Sequence, residues 1–130
     1  MRLFKKIRGK GLFSSIVGGG GWHAKDCTVD DSVGEVKWSN MVEGAHAKHK
    51  DEDSMRSLSL KGAIVSEPKE EPLPVEVAKF LKSNDFKFHV VRIASPDIKG
   101  EPLEFGYVDH GMMKGFYDNV RMAAEKASGV

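Results

Sequence analysis

The first 25 residues carry Arg2, Lys5, Lys6, Arg8, Lys10 and Lys25 and no acidic side chain, whereas the rest of the 130-residue chain holds 14 basic and 19 acidic residues. A formal net charge of +1 hides this polarity. Glycine is polarised in the same direction, with seven of the fourteen in the first 34 residues and four in succession, Gly18 to Gly21. Ordering such a run costs backbone entropy, so it reads as a hinge. The sequence therefore predicts a basic, glycine-rich arm over residues 1–21 on an acidic body.

Within the arm, Leu3, Phe4 and Ile7 fall in a narrow arc at 100° per residue, with Arg2, Lys5 and Lys6 on the other side. That spacing predicts two amphipathic turns. Leu12, Phe13, Ile16 and Val17 lie on nearly the opposite side of a continued helix, so Gly9 and Gly11 read as a break between two short elements. Neither is long enough to be stable alone, and order in such a segment requires contacts with neighbours. The arm is expected to meet something anionic: nucleic acid, a lipid surface or an acidic protein patch. The candidate contact residues are Arg2, Leu3, Phe4, Lys5, Lys6, Ile7, Arg8, Lys10, Leu12, Phe13 and Ile16. A basic, serine-containing segment without acidic residues also has the compositional outline of an organelle-targeting presequence.

Residues 22–56 read as a polar, irregular linker. Gly34 to Trp38 alternates like a short strand, Trp22, Val36, Trp38 and Met41 are placed to pin the stretch onto a body, and a little helix is expected near Met41 to Lys48. Residues 57–130 are more regular. Leu58, Leu60 and Ile64 share one face of a strand running to Ser66, with Gly62 at a bulge or a close approach. A proline- and charge-rich connector leads to a helix opened by Pro74, in which Leu73, Val77, Phe80 and Leu81 follow helical spacing. Phe86 to Ser95 alternates on both faces, turn residues follow at Pro96, Asp97, Gly100 and Pro102, and Leu103, Phe105 and Tyr107 form the partner strand of a hairpin. Met113, Phe116, Tyr117, Val120, Ala124 and Ala127 then make one stripe of an amphipathic helix ended by Ser128-Gly129. The expected fold is α+β: a small, mostly antiparallel sheet of three to four strands covered by one or two helices, with an extended, irregular N-terminal arm. A core of some 70 residues is worth only a few kcal/mol, which favours oligomerisation or docking.

Chemistry-bearing residues are sparse. His23-x3-Cys27 and His46-x2-His49 supply four borderline ligands, but their spacing fits no zinc-finger pattern, and no metal or other cofactor is expected. His89, Asp109 and His110 come together at one sheet edge if the hairpin forms. Histidine beside aspartate suits acid–base work, yet no nucleophile motif accompanies it, and Asp109 is more simply a helix N-cap. Gly18 to Gly21 lacks the Lys-Ser/Thr that completes a phosphate-binding loop. We therefore expect no enzyme. No apolar run approaches the roughly 20 residues of a membrane-spanning helix. One cysteine allows no intramolecular disulfide, which sets aside a disulfide-rich secreted scaffold and points to a reducing compartment, the cytoplasm or the inside of a virus particle.

The function expected is that of a structural, interacting protein in a larger assembly, with the arm docking on neighbouring subunits, copies of itself included. Arms of this kind lace subunits together in virus and phage particles, an analogy of architecture only. The alternatives are a peripheral membrane-active protein whose cationic N-terminus binds lipid, and an arm that contacts nucleic acid. No small-molecule substrate is expected.

Overall fold

A computed structural model describes residues 1–7, 21–40, 55–98 and 102–129. Gly18 to Gly20 of the expected hinge, the helix expected near Met41 to Lys48 and the hairpin turn around Gly100 lie outside the described residues. The elements in chain order are β1 (Arg2–Ile7), β2 (Gly21–Asp30), β3 (Glu35–Asn40), β4 (Met55–Ser59), β5 (Ile64–Val65), β6 (Lys69–Glu71), α1 (Val75–Leu81), β7 (Phe88–Ala94), β8 (Leu103–Tyr107) and α2 (His110–Ala127). They build one eight-stranded sheet in the order β4-β3-β2-β1-β8-β7-β5, with β6 also paired to β7. Every pairing is antiparallel.

The sheet dominates the chain, which corrects the expectation of three to four strands covered by helices beside an irregular arm. Residues 2–7 are not amphipathic turns. They form β1 in the middle of the sheet, paired on one side with β2 and on the other with β8. The adjacent apolar residues Leu3 and Phe4 point to opposite faces, as consecutive strand residues must, and each is buried because both faces of a central strand are covered. A strand covered on both faces lacks clean alternation, and over six residues its apolar spacing imitates a helical arc. The polar residues of β2 were misleading for the converse reason. Trp22 and Ala24 serve one face, Cys27 and Val29 the other, and among the polar residues His23, Asp26 and Thr28 are exposed whereas Lys25 is buried.

The two faces carry separate cores. On one, α2 packs Met113, Phe116, Val120, Ala123 and Ala124 against Leu3, Cys27, Val36, Trp38, Val91, Ile93 and Phe105. On the other, α1 lays Val77 against Phe4, Phe88 and Val90, flanked by Trp22 and Tyr107. Phe4 is the hub of the second core, with its ring centroid 5.3 Å from that of Phe80, 5.9 Å from Tyr107 and 6.5 Å from Phe88. Gly106 permits this packing, since a Cβ there would strike the Phe88 ring. The helix ends are sealed locally. The Asp109 carboxylate accepts from the Met112 N–H at 3.0 Å at the start of α2, and α1 closes on Lys82 in the left-handed region at φ 56°.

The stretch read as one strand from Leu58 to Ser66 is instead broken at Leu60 to Ala63, with Gly62 at φ 73°. Its two halves become β4 and β5, which terminate opposite ends of the strand order. This connection bends the whole sheet. Six inter-strand spacings of about 4.8 Å separate β4 from β5 in a flat sheet, about 29 Å, whereas the five steps from Ser59 to Ile64 reach at most about 18 Å. The sheet must curl until its edges approach. They meet where Ser95 Oγ, just after β7, donates to the Ser59 carbonyl at 3.5 Å. The turn closes over α2: Leu60 joins the α2 core, and the Gly62 N–H donates to Ser128 Oγ at 3.2 Å. The face holding α2 is thus the inner face of a partly closed barrel, and α1 lies on the outer face.

A core role for β1 predicts that Phe4→Ala destabilises the protein by about 3–5 kcal/mol, the usual cost of truncating a buried phenylalanine. Chemical denaturation of the two proteins measures this. A loss of less than about 0.5 kcal/mol, as for an ordinary surface position, would place Phe4 outside the core.

Candidate functional site

The candidate arm residues divide in the structure. Leu3 and Phe4 lie inside the protein's own two cores, Lys5 is buried on the inner face, Ile7 is half-buried, and Arg2 and Lys6 are exposed. Arg8, Lys10, Leu12, Phe13 and Ile16 lie outside the described residues. The amino group of Met1 donates to the Cys27 carbonyl at 2.9 Å, and the Cys27 N–H returns a bond to the Met1 carbonyl at 2.6 Å, so the sheet pairing continues to the first residue.

The described surface offers one uninterrupted strand edge. The Leu60 N–H bonds to the Gly34 carbonyl at 2.8 Å. By antiparallel alternation, Leu58 and Arg56 also turn their backbone groups toward β3, leaving those of Met55, Ser57 and Ser59 directed outward. Among the described residues no strand pairs with this side of β4. The opposite edge is different. There β5 and β6 are only two and three residues long, Pro68 lies between them, Pro72 follows, and β6 is wholly charged. Short strands, prolines and charges are the devices that stop an edge from recruiting another strand, and β4 has no proline and only one charge. No sequence signal marked this site, because edge or centre is a property of the strand order.

His89 and His110 do meet, with ring centroids 5.0 Å apart at 67°. Asp109 is engaged as the N-cap of α2, so the carboxylate that would orient an imidazole is committed to the backbone. His23 and Cys27 sit four apart on β2, both on the inner face, with His23 exposed and Cys27 buried. His46 and His49 lie outside the described residues. No group of three metal-ligating side chains forms among the described residues, and none of their helices is long and apolar enough to cross a membrane.

Two charge clusters remain. On the outer face Glu104, nearly buried, accepts from Arg92 Nε at 2.9 Å and lies 2.8 Å from the same guanidinium's terminal nitrogen, while Glu71 holds that nitrogen at 2.6 Å and Lys6 stands 3.8 Å away. Burial opposes the charge on Arg92, but Glu71 and Glu104 outweigh it and hold its pKa above the ordinary value. Four strands, β1, β6, β7 and β8, are thereby cross-linked beside the α1 core. On the inner face Lys5 and Lys25 are buried near Trp38 and Cys27.

Burial pushes the Cys27 thiol up to about 12, against the lowering influence of the Met1 amino group, Lys5 and Lys25. In the unfolded chain the same thiol ionises near its ordinary value of 9.0. Between these values the unfolded state has released a proton that the folded state retains, so the stability from burying the neutral thiol is complete below pH 9 and declines as pH rises toward 12. Cys27→Ala should flatten that part of the stability curve measured by denaturation from pH 8 to 11. In the native protein, Cys27 should resist alkylation at pH 8 until denaturant is added. No family model and no curated protein matches the chain.

Proposed function

We propose that this chain is a non-enzymatic interaction protein that joins an assembly by sheet extension, a strand from a second copy pairing along β4. The observation that carries this reading is the asymmetry of the two edges: β5 and β6 are shortened, charged and flanked by prolines, and β4 is not. Added backbone hydrogen bonds supply the affinity in such pairing, and Ser57 stands at the centre of the outward-facing groups. The seam at Ser59 and Ser95 closes one end of the edge, so an incoming strand meets β4 from the Met55 side. Two sheets joined edge to edge continue the row of Val36 and Leu58, cross-strand partners on the inner face, into the neighbour. An assembly of repeated subunits, a virus particle included, is the setting that suits such an edge.

The docking role expected of Leu3 and Phe4 is replaced in this proposal by β4, because both side chains are occupied in the fold. Sedimentation equilibrium of the full chain tests the reading. The native protein is expected as a dimer or larger multiple, and Ser57→Pro, which removes an outward donor and leaves the β3 ladder intact, is expected to shift it to monomer with an unchanged far-UV circular dichroism spectrum. A native chain that stays monomeric at its solubility limit would overturn it.

A further inference from the structure

Away from the β4 edge, the fold brings two histidines from separate elements into contact: the rings of His89 and His110 have centroids 5.0 Å apart and planes at 67°. His89 is half-buried on β7, held by ladders to Glu70 of β6 on one side and Tyr107 of β8 on the other. His110 is the first residue of α2, and the Asp109 cap that fixes the start of the helix fixes its position too. Both rings therefore stand on rigid elements, the condition for a pre-organised site. His110 is exposed, so solvent and ions reach the pair from that side. Among the described residues neither imidazole has a hydrogen-bond or ion-pair partner, and a neutral imidazole keeps one nitrogen as an acceptor. Carboxylates stand nearby, Glu70 directly opposite His89 in the ladder and so on its face, and Asp109 beside His110.

We propose that His89 and His110 chelate a divalent transition-metal ion of the nitrogen-preferring class, zinc, nickel or copper, and so clip β7 to the first turn of α2. An imidazole nitrogen binds zinc at about 2.0–2.1 Å, which sets the ring centroid about 3.2 Å from the ion, and two rings at a tetrahedral angle then have centroids about 5 Å apart. The observed separation is 5.0 Å. Histidine turns easily about its second side-chain torsion, so rotation of either ring brings a nitrogen to the point between them without moving the backbone. Imidazole suits zinc, nickel and copper, whereas calcium and magnesium demand oxygen. No third metal-ligating side chain joins the pair among the described residues, which leaves the other coordination positions to water and makes the site reversible rather than a closed structural one. The Asp109 carboxylate offsets the positive end of the α2 dipole, which opposes a cation at His110. Lys87, two residues before His89 on the same strand face, is met by Glu70 at 3.7 Å. The site shares no residue with the β4 edge and stands whether or not that edge recruits a second copy.

The chain has five histidines, His23, His46, His49, His89 and His110, whose ring signals in the ¹⁵N-labelled full-length protein, free of any added tag, are assigned by single substitutions. Titration with zinc chloride is expected to shift the His89 and His110 signals together and saturably. Either His89→Gln or His110→Gln should weaken that binding about tenfold or more, and the double variant His46→Gln/His49→Gln, which removes the other closely spaced histidines, should leave it unchanged. Zinc should also raise the melting temperature of that double variant and lose this effect when His89→Gln is added, because an ion held by two elements is released when they separate. Magnesium chloride at the same concentration should shift neither ring. Signals of His89 and His110 that stay in place at millimolar zinc would overturn the proposal. Native affinity retained in either single variant would do the same, since one ring alone would then hold the ion, as would loss of the joint shift in the His46→Gln/His49→Gln variant. An equal response to magnesium would overturn the assignment to a nitrogen-preferring metal. If a single variant does not fold, the joint shift of the two rings in the native chain still decides the matter.

Discussion

Leu3 and Phe4 are adjacent in the chain and belong to different cores, and that separation requires β1 to lie between two paired neighbours with both faces covered. Full burial of each side chain is worth about 1.5–3 kcal/mol, but their larger effect is geometric. Leu3 fixes the register against which α2 seats Phe105 and Phe116, whose ring centroids lie 5.3 Å apart. Phe4 fixes the platform for α1. A one-residue slip of β1 would exchange Phe4 for Lys5 in the outer core and Leu3 for Phe4 in the inner one. Every other pairing is hung on this strand, because β1 alone joins the β2–β4 meander to the β7–β8 hairpin within the strand order.

Elements whose burial is one-sided were legible. α2 was readable from Met113, Phe116, Val120 and Ala124, since a helix on a sheet exposes its opposite side and keeps a stripe. The alternation of Gly34 to Trp38 likewise became β3, and the hairpin from Phe88 to Tyr107 followed from alternation bounded by turn residues. Legibility failed where tertiary pairing overrode local pattern. Lys5 and Lys25 carry charges into the interior, although the sequence places Lys5 in a basic arm and Lys25 in a polar linker. The strand expected to run on through Gly62 instead reverses there between the sheet's two edges, a distinction that local spacing does not contain. The candidate site suffered the same loss: Ser57 is an unremarked serine in a polar stretch until the strand order makes it an edge.

The basic charge that stood out along the chain is divided by the strand's alternation. Lys5 goes inward to the Trp38 ring, while Lys6, one residue on, goes outward to Glu104. The inward cation lies over a π face, and the outward one stands beside a carboxylate that also holds Arg92. A single dipeptide therefore serves two unlike environments on the two faces of the sheet. The outer network ties β1, β6, β7 and β8 together.

The position of β1 also has a consequence in time. Its residues emerge well before those of one of its two ladder partners, β8, in which Gly106 lies opposite Phe4. Contacts of such long sequence separation slow folding, because loop closure must precede the contact that rewards it. Until β8 arrives, the nascent β1–β2 hairpin carries an unfinished edge and two uncovered apolar faces, the condition in which chains associate wrongly. Lys5 and Lys6 place two positive charges on that strand, and charge on an open strand edge is a device against pairing with further copies of itself.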